Sequence, residues 1–214
     1  LAGLALSPGG AVIMLMMPVV GILVSKVDVR ILVTFGCLVS SIALFVMAGW
    51  NLTLDYKHAV LGRMLQSLGL AFLFIPINVS AFAFVPKEKT NMGTGIINLA
   101  RNVGASVGIA TVTTLLERRT QVHESQLMEH VNVYSSAYRN TLNGLHTVFV
   151  SGGKSAADAT VRAQAMIGGM VQKQAAMLAF VDNFKLLGVV FLVVIPILLM
   201  LKRPKGPARD VPVH

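Results

Sequence analysis

The chain has 214 residues, of which 55% are hydrophobic and only 13% charged, a balance that excludes an ordinary water-soluble domain. The formal net charge of +9 comes from basic residues scattered through connectors and the tail. No basic stripe is interleaved with aromatics, which argues against nucleic-acid binding. The single Cys37 lies inside an apolar run, so no internal disulfide is expected.

Membrane spans follow one another from the start. No charged residue occurs from Leu1 to Ser25, and none from Ile31 to Leu54. About 20 mostly apolar helical residues cross a hydrocarbon core, so each run is long enough to span. Five spans are predicted: Gly3–Val24, Ile31–Trp50, His58–Val85, Gly93–Leu116 and a last one cored by Leu186–Leu201. The last run is short alone, about 24 Å at 1.5 Å per residue, and is expected to extend backward through Ala175–Val181. Short connectors at Lys26–Arg30, Asn51–Lys57 and Pro86–Asn91 join the first four spans. Leu1 opens within a span, without an initiator Met or a signal peptide's basic flank, so a longer parent chain is expected.

Parity of crossing puts Lys26 and Arg30, Lys87 and Lys89, and the tail cations from Lys202 onward on one side, which the positive-inside rule makes cytoplasmic. Arg118 and Arg119 fall on the other side, at the start of a long connection to Lys185, and long loops translocate largely regardless of charge. Four domains are therefore expected: residues 1–116 with four transmembrane helices, a periplasmic helical segment over 117–185, the core of the last span at 186–201 and a cytoplasmic tail at 202–214. Within the long segment, Thr120–Val131 and Ala156–Val181 read as helices, with Ser151-Gly152-Gly153 as a loop.

Ionisable groups inside a span are costly and usually face protein or a cavity. Arg101 lies too deep in the fourth span to reach water easily. Asn98 and Asn102 sit beside it, and Gly104 and Gly108 follow at a GxxxG spacing that permits close helix approach. Arg101 therefore either lines a cavity, binding anionic groups or tuning a proton site, or bonds the carbonyls of a neighbouring helix. Arg63 lies near the start of the third span, within snorkelling reach of the interface. Asp182 and Lys185, three apart, either pair at the interface or take part in transport. Pro8, Pro18, Pro76 and Pro196 fall inside spans and should bend them.

His123 and His130 could share a helix face, but no third ligand accompanies them, so no metal site is assigned. With no GxSxG, P-loop or Gly-rich nucleotide fingerprint, neither an enzyme nor a cofactor is expected. Ion-gradient coupling or passive conduction remains.

The connector from Gly21 through Lys26 and Asp28 to Arg30 resembles the short cytoplasmic loop in each half of major facilitator transporters, and is the candidate conformational loop. Ser25 stands where the general pattern has an acidic residue, and Asp28 where it has Gly. The stretch Arg63-Met-Leu-Gln66-Ser-Leu-Gly69 with Pro76, then Pro86, Gly95, Asn98, Arg101, Gly104, Ser106 and Gly108, is similar to the EmrB/QacA-type branch of fourteen-span drug:proton antiporters. Gln121-Val-His123-Glu-Ser-Gln126-Leu127 and Gln174-Ala175 with Asp182-Asn-Phe184 resemble its EmrB side.

This resemblance implies an all-α membrane protein whose five transmembrane helices form part of a major facilitator fold, with a partly helical periplasmic segment before the last helix. It further implies the C-terminal part of a bacterial inner-membrane multidrug exporter, exchanging amphiphilic, often cationic, small molecules for protons by alternating access. Arg101, Asn98, Asn102, Arg63 and Asp182 are the candidate cavity-lining or coupling residues. Implied partners are the lipid bilayer, the N-terminal half of the same chain, a periplasmic membrane-fusion adaptor and an outer-membrane channel. A narrow exporter of a siderophore, fatty acid or other metabolite is the alternative of the same fold. A membrane scaffold or enzyme without transport is the alternative of another class.

Overall fold

Helices that are apolar all round have no polar face to turn toward water, and their backbone groups must be satisfied within each segment. The computed structural model, which describes residues 2–82, 85, 89–132 and 134–200, is built from such helices. They are α1 (Ala2–Lys26), α2 (Val29–Met47), α3 (Tyr56–Phe82), α4 (Thr90–Met128), α5 (Ser136–Ser151) and α6 (Ala156–Met200). Five of them are long and apolar enough to cross a membrane: α1 over Ser7–Lys26, then α2, α3, α4 and α6. The expected all-α membrane fold is therefore present, and no strand occurs among the described residues. The expectations for Lys87 and for the tail at 202–214 lie outside the described residues.

The long connection is more helical than its sequence suggested. The fourth span and the helix expected at Thr120–Val131 are one element, because α4 runs for 39 residues. Nothing between Gly108 and Met128 is Gly or Pro, and a change from apolar to charged does not end a helix. At 1.5 Å per residue α4 is about 58 Å long, roughly twice a hydrocarbon core of about 30 Å. The last span likewise runs on from Ala156 in a single helix of 45 residues. Between them, α5 was not foreseen. Ser135 caps it by accepting from the Tyr138 N–H at 3.4 Å. Tyr138, Leu142, Leu145 and Phe149 form its half-buried stripe at helical spacing. It ends as expected in the Ser151-Gly152-Gly153 loop, where Gly153 takes φ 82, a conformation that favours glycine.

The chain divides into two compact units, Ile109–Asn183 and the remainder. In the unit that includes α1, α2 and α3, backbones approach closely at small residues. A Cβ on Gly36 would meet the Gly69 carbonyl oxygen at 3.0 Å, and one on Gly69 would collide with Ser40. A Cβ on Gly9 of α1 would meet Ser67 Oγ of α3 at 2.6 Å. Within a bilayer, van der Waals packing of this kind replaces the hydrophobic drive as the force between helices. Val20, Leu32 and Phe72 form one buried cluster of α1, α2 and α3. Val33, Cys37 and Leu73 form a second, packed by Phe191, Val194, Ile195 and Leu198 of α6. Ser41 Oγ donates to the Gly188 carbonyl at 2.9 Å, a buried bond that ties α2 to α6.

In the other unit, α6 buries Ala159, Ala163, Ile167, Ala175 and Ala179, mostly small side chains four residues apart. His146 of α5 lies 3.3 Å from the Ala156 carbonyl at the start of that helix.

Candidate functional site

The site forms where a break in one helix faces a charge on another. Pro76 lies inside α3 and has no N–H for the carbonyl four residues back. Two residues further on, Asn78 Nδ2 donates to the Phe74 carbonyl at 2.6 Å, which holds its amide against its own helix. That bond leaves Oδ1 as the outward acceptor, and Arg101 Nη2 of α4 donates to it. The Arg101 guanidinium carbon also sits 5.4 Å from the centroid of the Phe74 ring, over its face, within cation–π range. A charge that would be costly alone in hydrocarbon thus has a hydrogen-bond acceptor and an aromatic face.

Beside this joint lies a cavity of about 430 Å³, within the size range that holds a drug-sized molecule. Ile13 and Met17 of α1 line it, with Leu70, Leu73, Phe74, Ile77 and Asn78 of α3 and Arg101 of α4. The combination is an apolar chamber with one cation and one amide at its edge. The surface it presents is almost entirely apolar, which suits the hydrophobic part of a small molecule.

The expected residues are not all brought together. Asn98 and Asn102 are exposed on α4 and do not line the cavity. The polar partner of Arg101 is instead Asn78, twenty-three positions away in sequence. Gly104 and Gly108 have no atom within 4 Å of an added Cβ, so the close approach their spacing permits is made elsewhere, at Gly36 and Gly69. Arg63 is half-buried, donates from Nη1 to Gln66 Oε1 at 2.7 Å, and lays its side-chain stem against Gly9. It does not line the cavity.

In the unit Ile109–Asn183, Asp182 does not pair with Lys185 as its spacing suggested. Its carboxylate lies 2.9 Å from His123 Nε2 and 3.9 Å from Arg119 Nη1. Both partners come from α4, so the contact joins α4 to α6. His130 Nδ1 lies 3.0 Å from the Gln126 carbonyl of its own helix, away from that pair.

The candidate conformational loop is a tight connection. Lys26 ends α1, and Asp28 caps α2 by accepting from the Arg30 N–H at 3.1 Å. Arg30 Nη2 and Thr34 Oγ1, one turn apart, are buried with no hydrogen-bond partner. An added Cβ on Gly21 would meet open space, so close packing does not explain a glycine there.

Sequence reasoning missed Asn78 and Phe74. The available signal was an amide in an otherwise apolar run, two residues after a proline that frees backbone groups.

Comparison with known proteins agrees with this architecture. No solved structure matches the chain. Among relatives, the fatty acid resistance protein FarB of Neisseria gonorrhoeae is 25% identical over 95% of this chain and 38% of its own length. The multidrug export protein EmrB of Haemophilus influenzae is 31% identical over 63% of this chain and 26% of its own length. The colistin resistance protein EmrB of Acinetobacter baumannii is 22% identical over 92% of this chain and 38% of its own length. The chain therefore matches about a quarter to two fifths of the length of these relatives. The family model for the Major Facilitator Superfamily matches residues 1–117, more than half of the chain, and the chain belongs to that superfamily.

Proposed function

We propose that the chain is the C-terminal part of a secondary active exporter that expels amphiphilic small molecules in exchange for protons. It would work by alternating access, two halves rocking about a midplane site. The observation that carries this is the apolar cavity with Arg101 and Asn78 at its edge, in a chain of this superfamily. Similarity to proteins named for multidrug export and fatty acid resistance supports the substrate class.

In this reading Arg101 orients substrate or biases a proton site, and Asn98 and Asn102 lie on the path beside it. Arg63 and Asp182 are secondary candidates for coupling. The loop Gly21–Arg30 is the hinge between conformations. Residues 1–116 belong to the moving half, 117–185 stand in the periplasm and meet an adaptor that leads to an outer-membrane channel, 186–201 core the last span, and 202–214 are cytoplasmic in the inner membrane. No bond is made or broken in the transported molecule, so the protein is not an enzyme.

Dye accumulation tests the function. Cells bearing the full-length protein should retain less of an amphiphilic dye than cells lacking it, and the difference should vanish when the proton gradient is collapsed. Equal accumulation with the gradient intact would reject export and favour a scaffold. A substrate panel separates broad from narrow export. Sidedness is tested by single cysteines at Lys26 and Val150 with Cys37 replaced by serine. An impermeant outside reagent should label position 150 and spare position 26, and the reverse pattern would invert the topology.

A further inference from the structure

In the unit Ile109–Asn183, α4 meets α6 through a histidine, the side-chain type suited to change charge between pH 5 and 8. His123 Nε2 lies 2.9 Å from Asp182 Oδ2, and with 19% and 30% of their side chains exposed both groups stay within reach of water and protons. His123 stands seven residues beyond the expected end of the fourth span at Leu116, about 10 Å at 1.5 Å per residue, clear of the hydrocarbon. A neutral imidazole can give the carboxylate one N–H. A protonated one gives the same N–H and a full positive charge, which strengthens the bond.

Asn183, the next residue of α6, shows why that increment matters. It is 5% exposed, and its Nδ2 is buried with no hydrogen-bond partner. A dry, unpaired donor favours any arrangement that admits water to it. One and two turns back, the fully buried side chains are Ala179 and Ala175, which bury little apolar area against opening. The closed contact is therefore weakly held, and a change in the His123–Asp182 bond is large enough to tip it.

The other charge at the pair is Arg119, one turn before His123 on α4, with Nη1 3.9 Å from the same carboxylate oxygen. It attracts Asp182 and repels a protonated His123, but at 57% exposure it is screened by solvent. Glu124 and Lys185, close in sequence, form no ion pair with either member among the described residues. On α5, Tyr138 belongs to the half-buried stripe, Arg139 is exposed, and His146 lies against the Ala156 carbonyl at the other end of α6.

We infer that His123 and Asp182 form a proton-operated clasp between α4 and α6, closed when His123 is protonated and loosened when the imidazole is neutral. The inference rests on this contact alone and holds whether or not the chain is an exporter. The compartment whose acidity it senses follows from the sidedness proposed above, which labelling at position 150 of the same unit tests separately.

Hydrogen exchange by the full-length protein in nanodiscs, measured from pH 5.5 to 7.5 and corrected for the intrinsic effect of pH on exchange, tests the clasp. Protection of the amides in Arg119–Leu127 and Leu178–Asn183 should be about threefold higher at pH 5.5, the gain expected of a partly exposed ion pair. The seam at Gly36 and Gly69 should show no such gain. His123→Gln keeps an N–H for the carboxylate and cannot become charged, so its protection should be independent of pH and close to that of the unaltered protein at pH 7.5. Arg119→Gln should keep the step and enlarge it. Protection in the unaltered protein that is flat with pH, or that falls in acid, would overturn the inference, and that comparison depends on no variant folding. A gain of equal size at the seam would mark a general response to acid and overturn it too. So would a full step in His123→Gln, which would place the proton elsewhere, or loss of the step in Arg119→Gln, which would give the closing charge to the arginine.

Discussion

The seam between α2 and α3 and the span in α4 are both apolar, both glycine-bearing and both long enough to cross a membrane, yet they are used differently. At the seam, Gly36, Ser40 and Gly69 bring two backbones together and the neighbouring side chains are buried. On α4 no residue is buried, although Gly104 and Gly108 stand at a spacing that would allow a similar approach. Hydropathy reports that a helix tolerates lipid; it does not report which face meets another helix. Of the five helices long and apolar enough to cross a membrane, the one that packs least carries the cation at the cavity.

The strongest way to break that contrast is to add volume. Gly69→Leu should destabilise the protein by about 3 kcal/mol, the upper part of the usual overpacking range, read as a lower unfolding temperature in detergent. Gly104→Leu, which enters open space, should change stability by less than about 0.5 kcal/mol. An equal loss at the two positions would show that α4 has a packed partner and would erase the distinction.

Caps offer a smaller effect. Asp28→Ala removes the acceptor for the Arg30 N–H and should cost about 1 kcal/mol, seen as faster hydrogen exchange in the first turn of α2. Unchanged exchange there would mean that the connector is held by other contacts.

The His123–Asp182 contact should contribute less still. Both side chains are partly exposed, so His123→Ala is expected to cost no more than about 1 kcal/mol. Its mark should be local, as faster exchange confined to α4 and α6 near the contact. Global unfolding in this variant would make the pair a structural keystone and reverse its rank against the seam.

How much of this was legible in the sequence depended on whether the signal was local. Charge-free runs marked the spans because the cost of burying charge acts on each residue by itself. Arg101 was visible for the same reason. Asn78 was not, since a single amide after Pro76 reads equally well as a helix stop or a cavity group, and nothing local ties it to a residue on the next helix. The unbroken course of α4 through Glu117, Arg118 and Arg119 was hidden because a change in polarity resembles a boundary although it breaks no backbone bond. In α5, Gly144 beside the stripe of Tyr138, Leu142, Leu145 and Phe149 lowers the local helix preference and so masked the element. The small-residue seam was overlooked in favour of Gly104 and Gly108, because GxxxG on one helix is easily noticed and Gly36 meeting Gly69 on two helices is not.

The central claim is that the charge of Arg101, held by Asn78 over Phe74, serves export and not only the fold. Dye efflux by Arg101→Ala in the full-length protein, measured alongside the amount of protein in the membrane, tests it most directly. The account predicts impaired efflux with much of the protein still in the membrane, partial rescue by lysine, which lacks the planar donor fork, and smaller losses in Asn98→Ala and Asn102→Ala. Normal efflux by Arg101→Ala would contradict it, and loss of the protein from the membrane would assign Arg101 to structure instead.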